Sequence, residues 1–238
     1  MARGATRNDI INACVRIFHV TDIVLASNSP RRRELLALLQ MDFTVSVADI
    51  DESIETFGES PAEYVLRLAE TKARAIASRM NADRLVLAAD TTVVSGCEIL
   101  GKPASDAEAF AMLTQLRGQI HQVYTGIALL RASDGFLLTD LCITDVPMRN
   151  YSDEEIRAYI ATRDPFDKAG AYAIQHAEFH PVENLSGCFA GVMGLPLCHV
   201  TRLLRKMNAR PNADVPANCQ QYLEYECPVY DRILNGEI

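Results

Sequence analysis

"DIVLASNSPRRRELLALL", residues Asp22 to Leu39, decides how this chain folds. "DIVLAS" is a short apolar strand. Ser29 then stands where a helix is capped, with Pro30 at the first helical position. Leu35, Leu36, Leu38 and Leu39 supply the apolar stripe behind them. Strand, polar turn and helix in that order open an α/β domain. The turn raises a question of charge. A helix start already carries partial positive charge from its unpaired N–H groups, so cations are disfavoured there. Arg31, Arg32 and Arg33 nevertheless follow one another at that place. Beside the hydroxyls of Ser27 and Ser29, they read as a site awaiting an anion rather than as a solvated basic helix start. The P-loop pattern is absent.

Outward from this unit, strands and helices alternate. "SPAEYVLRLAETKARAIASRM" carries a capping box, Ser60 with Glu63, ahead of a helix. "RLVLAAD" is a buried strand ending in Asp90. "SDAEAFAMLTQLRG" is a helix boxed by Ser105 and Glu108 and stopped by Gly118. "HQVYTGIALL" and "FLLTDLCITDVPM" flank Ser133-Asp134-Gly135 and form a hairpin. "SDEEIRAYI", boxed by Ser152 and Glu155, is a fourth helix, and a last one runs from about Leu195 to Met207. The fold class is α/β, a mixed twisted sheet with flanking helices. Residues 1–21 and 208–238 read as extensions around a domain over 22–207.

The chain has 238 residues, a net charge of −8, 49% hydrophobic and 23% charged residues, which fits one large domain or two lobes around a cleft. The longest stretch free of charged residues, Asn184–Thr201, contains Gly187, Gly191, Gly194 and Pro196, so no membrane span is expected. No signal peptide opens the chain, and a cytoplasmic location follows as the expectation. Seven cysteines, with no C-x-x-C pair, read as reduced thiols. The acidic balance argues against a nucleic-acid polymer as partner but leaves room for a small anion in a local cationic cluster.

Four further positions are candidates for chemistry. Val65, Leu68, Ala69, Ala73 and Ile76 form the apolar stripe of the second helix, and Lys72 falls in its middle. Such a lysine either snorkels at the stripe's edge or is paired on a polar cleft. Asp90, at a strand end, reads as a metal ligand, a general base or a turn aspartate. Lys102 in "ILGKP" and Glu52 in "DIDES", beside Asp49 and Asp51, read as exposed when taken alone. His176 and His180 lack a third ligand, and His121 and His199 read as structural. Neither a G-x-S-x-G elbow nor a cysteine–histidine pair supports covalent catalysis.

Together, "LASNSPRRRELL", "DIDES", "YVLRLAETKA", "AADTTVV", "ILGKP", "GQIHQVYTGIAL", "DKAGAYAIQ" and "GVMGLPL" resemble, in order, the Maf family of nucleoside triphosphate pyrophosphatases. The resemblance implies a Maf/ITPase-like fold with two lobes around a deep cleft, commonly as a homodimer. It also implies hydrolysis between the α- and β-phosphates of a nucleoside triphosphate with Mg²⁺ or Mn²⁺. Asp90 matches the family's general base. Lys72, Lys102 and Glu52 join it as catalytic residues, with Asp90 and Glu52 as candidate metal ligands. Ser27, Ser29, Arg31, Arg32, Thr91, Lys168 and Gln175 are the expected substrate contacts. Arg31, Thr91 and Gln175 match the branch that prefers dTTP and UTP. Ala173 and His176 stand where glycines are usual, which bears on base selectivity. Other-base pyrophosphatases, such as those cleaving 7-methyl-GTP, and a non-catalytic nucleotide-binding regulator of cell division are the rival readings.

Overall fold

The computed structural model describes residues 23–50, 58–80 and 84–238. Its sheet has the order β2-β1-β3-β5-β6, built from β1 (Ile23–Leu25), β2 (Phe43–Val45), β3 (Leu85–Ser95), β5 (Ile120–Arg131) and β6 (Leu137–Pro147). The short β4 (Glu98–Leu100) pairs antiparallel with the end of β3. β1 runs parallel to β2 and β3, whereas β3, β5 and β6 form an antiparallel meander. The expected mixed α/β sheet is present.

Side-chain alternation along the strands sorts the core. Ile23, Leu25, Leu85, Leu87, Ile127 and Leu129 face α1 (Pro30–Ala37), α5 (Phe189–Met193) and α6 (Leu197–Lys206). Val24, Val86, Ala88 and Ala128 face the apolar stripe of α2 (Pro61–Ala77) on the other side. Further along the same strands, Val93, Val123 and Val146 belong to a second core with α3 (Asp106–Leu116) and α4 (Asp153–Ala161). Two lobes thus share the long strands.

The capping boxes at Ser60 and Ser152 are formed as expected. At Ser105 the reciprocal bond differs, since Glu108 accepts from the Ala104 N–H instead. The last helix of the domain, Leu197–Lys206, lies close to its expected bounds, and a further short helix, Phe189–Met193, precedes it in the Gly-rich segment, ended by the left-handed Gly194 (φ +107). Strand β3 does not end at Asp90. The β-branched run Thr91-Thr92-Val93-Val94 continues it against β5 to Val94↔Gln122. What does end is the pairing with β1, at Leu25↔Leu87. Asp90 therefore lies where the sheet loses a neighbour, and a cleft opens there.

Past Met207, α7 (Val215–Leu223) and α8 (Tyr230–Asn235) pack on the first lobe. The described cysteines, Cys97, Cys142, Cys188, Cys198, Cys219 and Cys227, are free thiols. Among the described residues, no helix is long and apolar enough to cross a membrane.

Candidate active site

The cleft has a volume of about 740 Å³ and lies between the two lobes. Its lining includes the cations Arg31, Arg32, Arg33, Lys72, Lys102 and Lys168 against the carboxylates Asp90 and Asp167. Six cations of an acidic protein meet at this cleft, as the "SPRRR" turn suggested.

The floor is set by a glycine. Asp90 pairs with Gly126 across the sheet. A Cβ on Gly126 would lie 2.6 Å from the Val65 carbonyl oxygen and 2.8 Å from the Leu66 nitrogen, both backbone atoms of α2. Its absence lets α2 lie directly on β5, and the lysine of its apolar stripe then reaches the strand. Lys72 Nζ donates to Asp90 Oδ1 over 2.6 Å, with both residues buried. Of the two readings left open for Lys72, the paired one holds.

The three arginines separate into different roles. Arg32 is pinned: Nε donates to the Gly194 carbonyl (2.9 Å), Nη2 to Thr91 Oγ1 (3.1 Å) and Nη1 to Ser27 Oγ (3.4 Å). Thr91 is within 2.9 Å of Thr125 Oγ1, which itself donates to the Gly191 carbonyl. With Thr125's hydrogen engaged, Thr91 is the donor between them, and a directed chain fixes Arg32. Gly194 is required there, since its left-handed backbone already sits 3.1 Å, at a hypothetical Cβ, from Thr91 Oγ1. Arg31 instead spans the cleft to Asp167 (3.4 Å), and Arg33 is exposed at the rim. Ser29 caps α1 by accepting from the Arg32 N–H, and Ser27 accepts from the Ser29 N–H. Both hydroxyl hydrogens remain for a ligand.

Lys168 lines the cleft, but its ammonium is held by Asp164 Oδ1 (2.8 Å), the Asp164 carbonyl (2.6 Å) and Asp167 Oδ1 (2.6 Å). Burial pushes the Asp164 carboxyl up, yet hydrogen bonds from Lys168 and Tyr159 hold it below the usual range. Lys102 and Gln175 are exposed lining residues, and neither has a hydrogen-bond partner among the described residues. Glu52 lies outside the described residues. Of the named site residues within the structure, all line this one cleft.

Sequence reasoning missed Asp167, Thr125 and Tyr172. Asp167 was visible only as the neighbour of Lys168 in "DKAGAYAIQ". Thr125 is distant in sequence from its partners. Tyr172 lines the cleft and shares a 2.7 Å hydrogen bond with the buried His121, whose Nδ1 has no hydrogen-bond partner among the described residues.

The Maf-like protein family model matches residues 22–207. The chain belongs to the Maf family. A Maf relative from Geotalea uraniireducens (strain Rf4), named dTTP/UTP pyrophosphatase, is 46% identical over 189 residues, covering 79% of this chain and 96% of its own. Another of that name, from Thermomicrobium roseum, is 44% identical over 219 residues, covering 90% of this chain and 99% of its own. Among solved structures, a HAM1 protein from Coxiella burnetii overlaps 55% of this chain and 74% of its own at 25% identity, with a TM-score of 0.40.

Proposed function

We propose that this chain is a nucleoside triphosphate pyrophosphatase that hydrolyses dTTP and UTP to the monophosphate and pyrophosphate. One observation carries the chemistry: a buried Lys72–Asp90 pair on the floor of a cleft rimmed by the cationic start of α1. The base preference follows the names of the relatives and the side chains at Arg31, Thr91 and Gln175.

Phosphoryl transfer depends mainly on positioning and on offsetting charge. The Arg31 N–H at the start of α1, the Ser27 and Ser29 hydroxyls and the Arg31 and Arg33 side chains hold phosphate oxygens. Arg32 keeps that turn in shape. Asp90, oriented by Lys72, accepts the proton of the attacking water, and Lys102 offsets charge on the departing pyrophosphate. Gln175 offers a donor and an acceptor to a pyrimidine edge.

Among the described residues no cluster of three His, Cys, Asp or Glu side chains is placed to hold a metal ion by itself. Mg²⁺ or Mn²⁺ would be held by one or two carboxylates of the chain and by the substrate's phosphate oxygens. Asp90 and Glu52 are the protein ligands we assign. The bound ion supplies Lewis acidity at the phosphate oxygens.

The same proposal takes the enzyme to be cytoplasmic and a homodimer, with no nucleic-acid polymer or membrane as partner. Among the described residues β6 is the edge strand of the sheet, and Ile143 on it at 48% exposure and Ile120 on β5 at 70% support self-association; a monomer mass in sedimentation overturns that part. The activity is tested by pyrophosphate release from a panel of triphosphates with Mg²⁺ or Mn²⁺. Fastest turnover of dTTP and UTP supports the proposal. Preference for 7-methyl-GTP, or binding without release, favours one of the rival readings.

A further inference from the structure

Residues 208–238 lie beyond the matched family residues, yet they grip the far end of the phosphate-binding helix. The last carbonyls of α1 are met locally, Leu35, Leu36 and Ala37 accepting from the N–H groups of Leu38, Leu39 and Gln40, so the carbonyls that need partners from outside are those just beyond the helix. Around the end of α1, Leu38 O accepts from Asn218 Nδ2 (3.0 Å), Leu39 O from the Asn212 N–H (3.1 Å) and Gln40 O from Asn212 Nδ2 (2.8 Å). On the flank of α1, Tyr222 Oη donates to Glu34 Oε2 (3.1 Å). Val215, fully buried, shares a core with Leu35, Leu36 and Leu39.

The segment has a second grip. Tyr225 Oη accepts from the Gly187 N–H (3.2 Å) and lies 3.0 Å from the Gly187 carbonyl. That loop leads into α5, whose capping residue Gly194 supplies the carbonyl that holds Arg32. One short segment therefore fixes both the helix bearing the arginines and the loop against which Arg32 is locked. None of Asn212, Asn218, Tyr222 or Tyr225 lines the cleft.

We infer that residues 208–238 are a brace that sets the position of α1 for binding a triphosphate chain, with Asn212, Asn218 and Tyr222 as positioning residues. This rests on the proposed function for its substrate but not for its principal readout. In the full chain, Asn212→Ala/Asn218→Ala and, separately, the milder Tyr222→Phe are compared with the parent. Calorimetry measures the Kd of inorganic tripolyphosphate at a temperature well below melting, beside KM and kcat for dTTP. The brace predicts that Kd and KM rise together, by about fivefold for the double variant, as losing hydrogen bonds of ordinary strength implies. kcat stays close to that of the parent. A lower melting temperature with unchanged Kd and KM in the folded variants overturns it, because a merely structural segment would move stability alone. If the parent binds tripolyphosphate but releases no pyrophosphate from dTTP, the enzyme assignment fails while the Kd comparison still decides the brace.

Discussion

Lys72 Nζ sits 2.6 Å from Asp90 Oδ1, with the two side chains only 10% and 11% exposed. Removing one partner of a buried ion pair leaves the other charge uncompensated, at a cost of about 3–5 kcal/mol. Lys72→Met is therefore expected to lower both stability and activity. Its pairing with Asp90 makes this lysine of the apolar stripe a support of the fold. The double variant Lys72→Met/Asp90→Leu should recover much of the stability and none of the turnover. Urea unfolding beside a pyrophosphate assay checks this. Unchanged stability in Lys72→Met contradicts it.

Gly126→Ala tests how α2 is brought to the strand. The added methyl would meet backbone atoms of Val65 and Leu66 at 2.6–2.8 Å, and backbone cannot rotate aside. A loss of about 1–3 kcal/mol is expected from such overpacking, together with reduced kcat as Lys72 is pushed away from Asp90. Gly101→Ala, with nothing within 4 Å of the added carbon, serves as the stability control.

Arg32 and Arg33 should respond differently to lysine. The fork of Arg32 reaches Gly194, Thr91 and Ser27 at once, which an ammonium cannot reproduce. Arg32→Lys is expected to lower kcat/KM by about tenfold and the melting temperature with it. Arg33→Lys, at the exposed rim, should stay near the parent in both. Equal effects would show that the pinned and rim arginines are interchangeable.

Burial lowers the His121 pKa to about 4, from an ordinary value of 6.5. The unfolded chain takes up a proton below pH 6.5, while the folded one resists it until about pH 4. This group's stability is thus complete above pH 6.5 and drains away as pH falls through that window, by roughly 3 kcal/mol in all. His121→Gln, which keeps a partner for Tyr172 without titrating, should flatten the slope. Urea midpoints at pH 7.5 and pH 4.5 for both proteins provide the measurement. An identical slope in the variant contradicts the assignment.

Much of the site was legible because its signals are local. The Ser29 cap, the arginine run and the capping box at Ser60 each lie within a few residues. Lys72 stood out because helical periodicity predicts an apolar residue there. Its partner did not follow from any period, since only the Asp90↔Gly126 register and the approach of α2 bring the two together. The end of β3 was misread because a carboxylate in a strand resembles a turn, whereas the pairing with β5 carries the strand on. The engagement of Arg32 by Gly194, and of α1 by Asn218, spans most of the chain. Contacts of that range leave no pattern in neighbouring residues.

The central claim is that Asp90 takes the proton from the water that cleaves the triphosphate. Steady-state kinetics of Asp90→Asn on dTTP and UTP test it, with products resolved as monophosphate and pyrophosphate. The amide keeps an acceptor for Lys72 but is a poor base, so kcat should fall by about 10²–10⁴-fold while KM moves little. A variant that keeps its kcat, or loses efficiency through KM alone, contradicts the account.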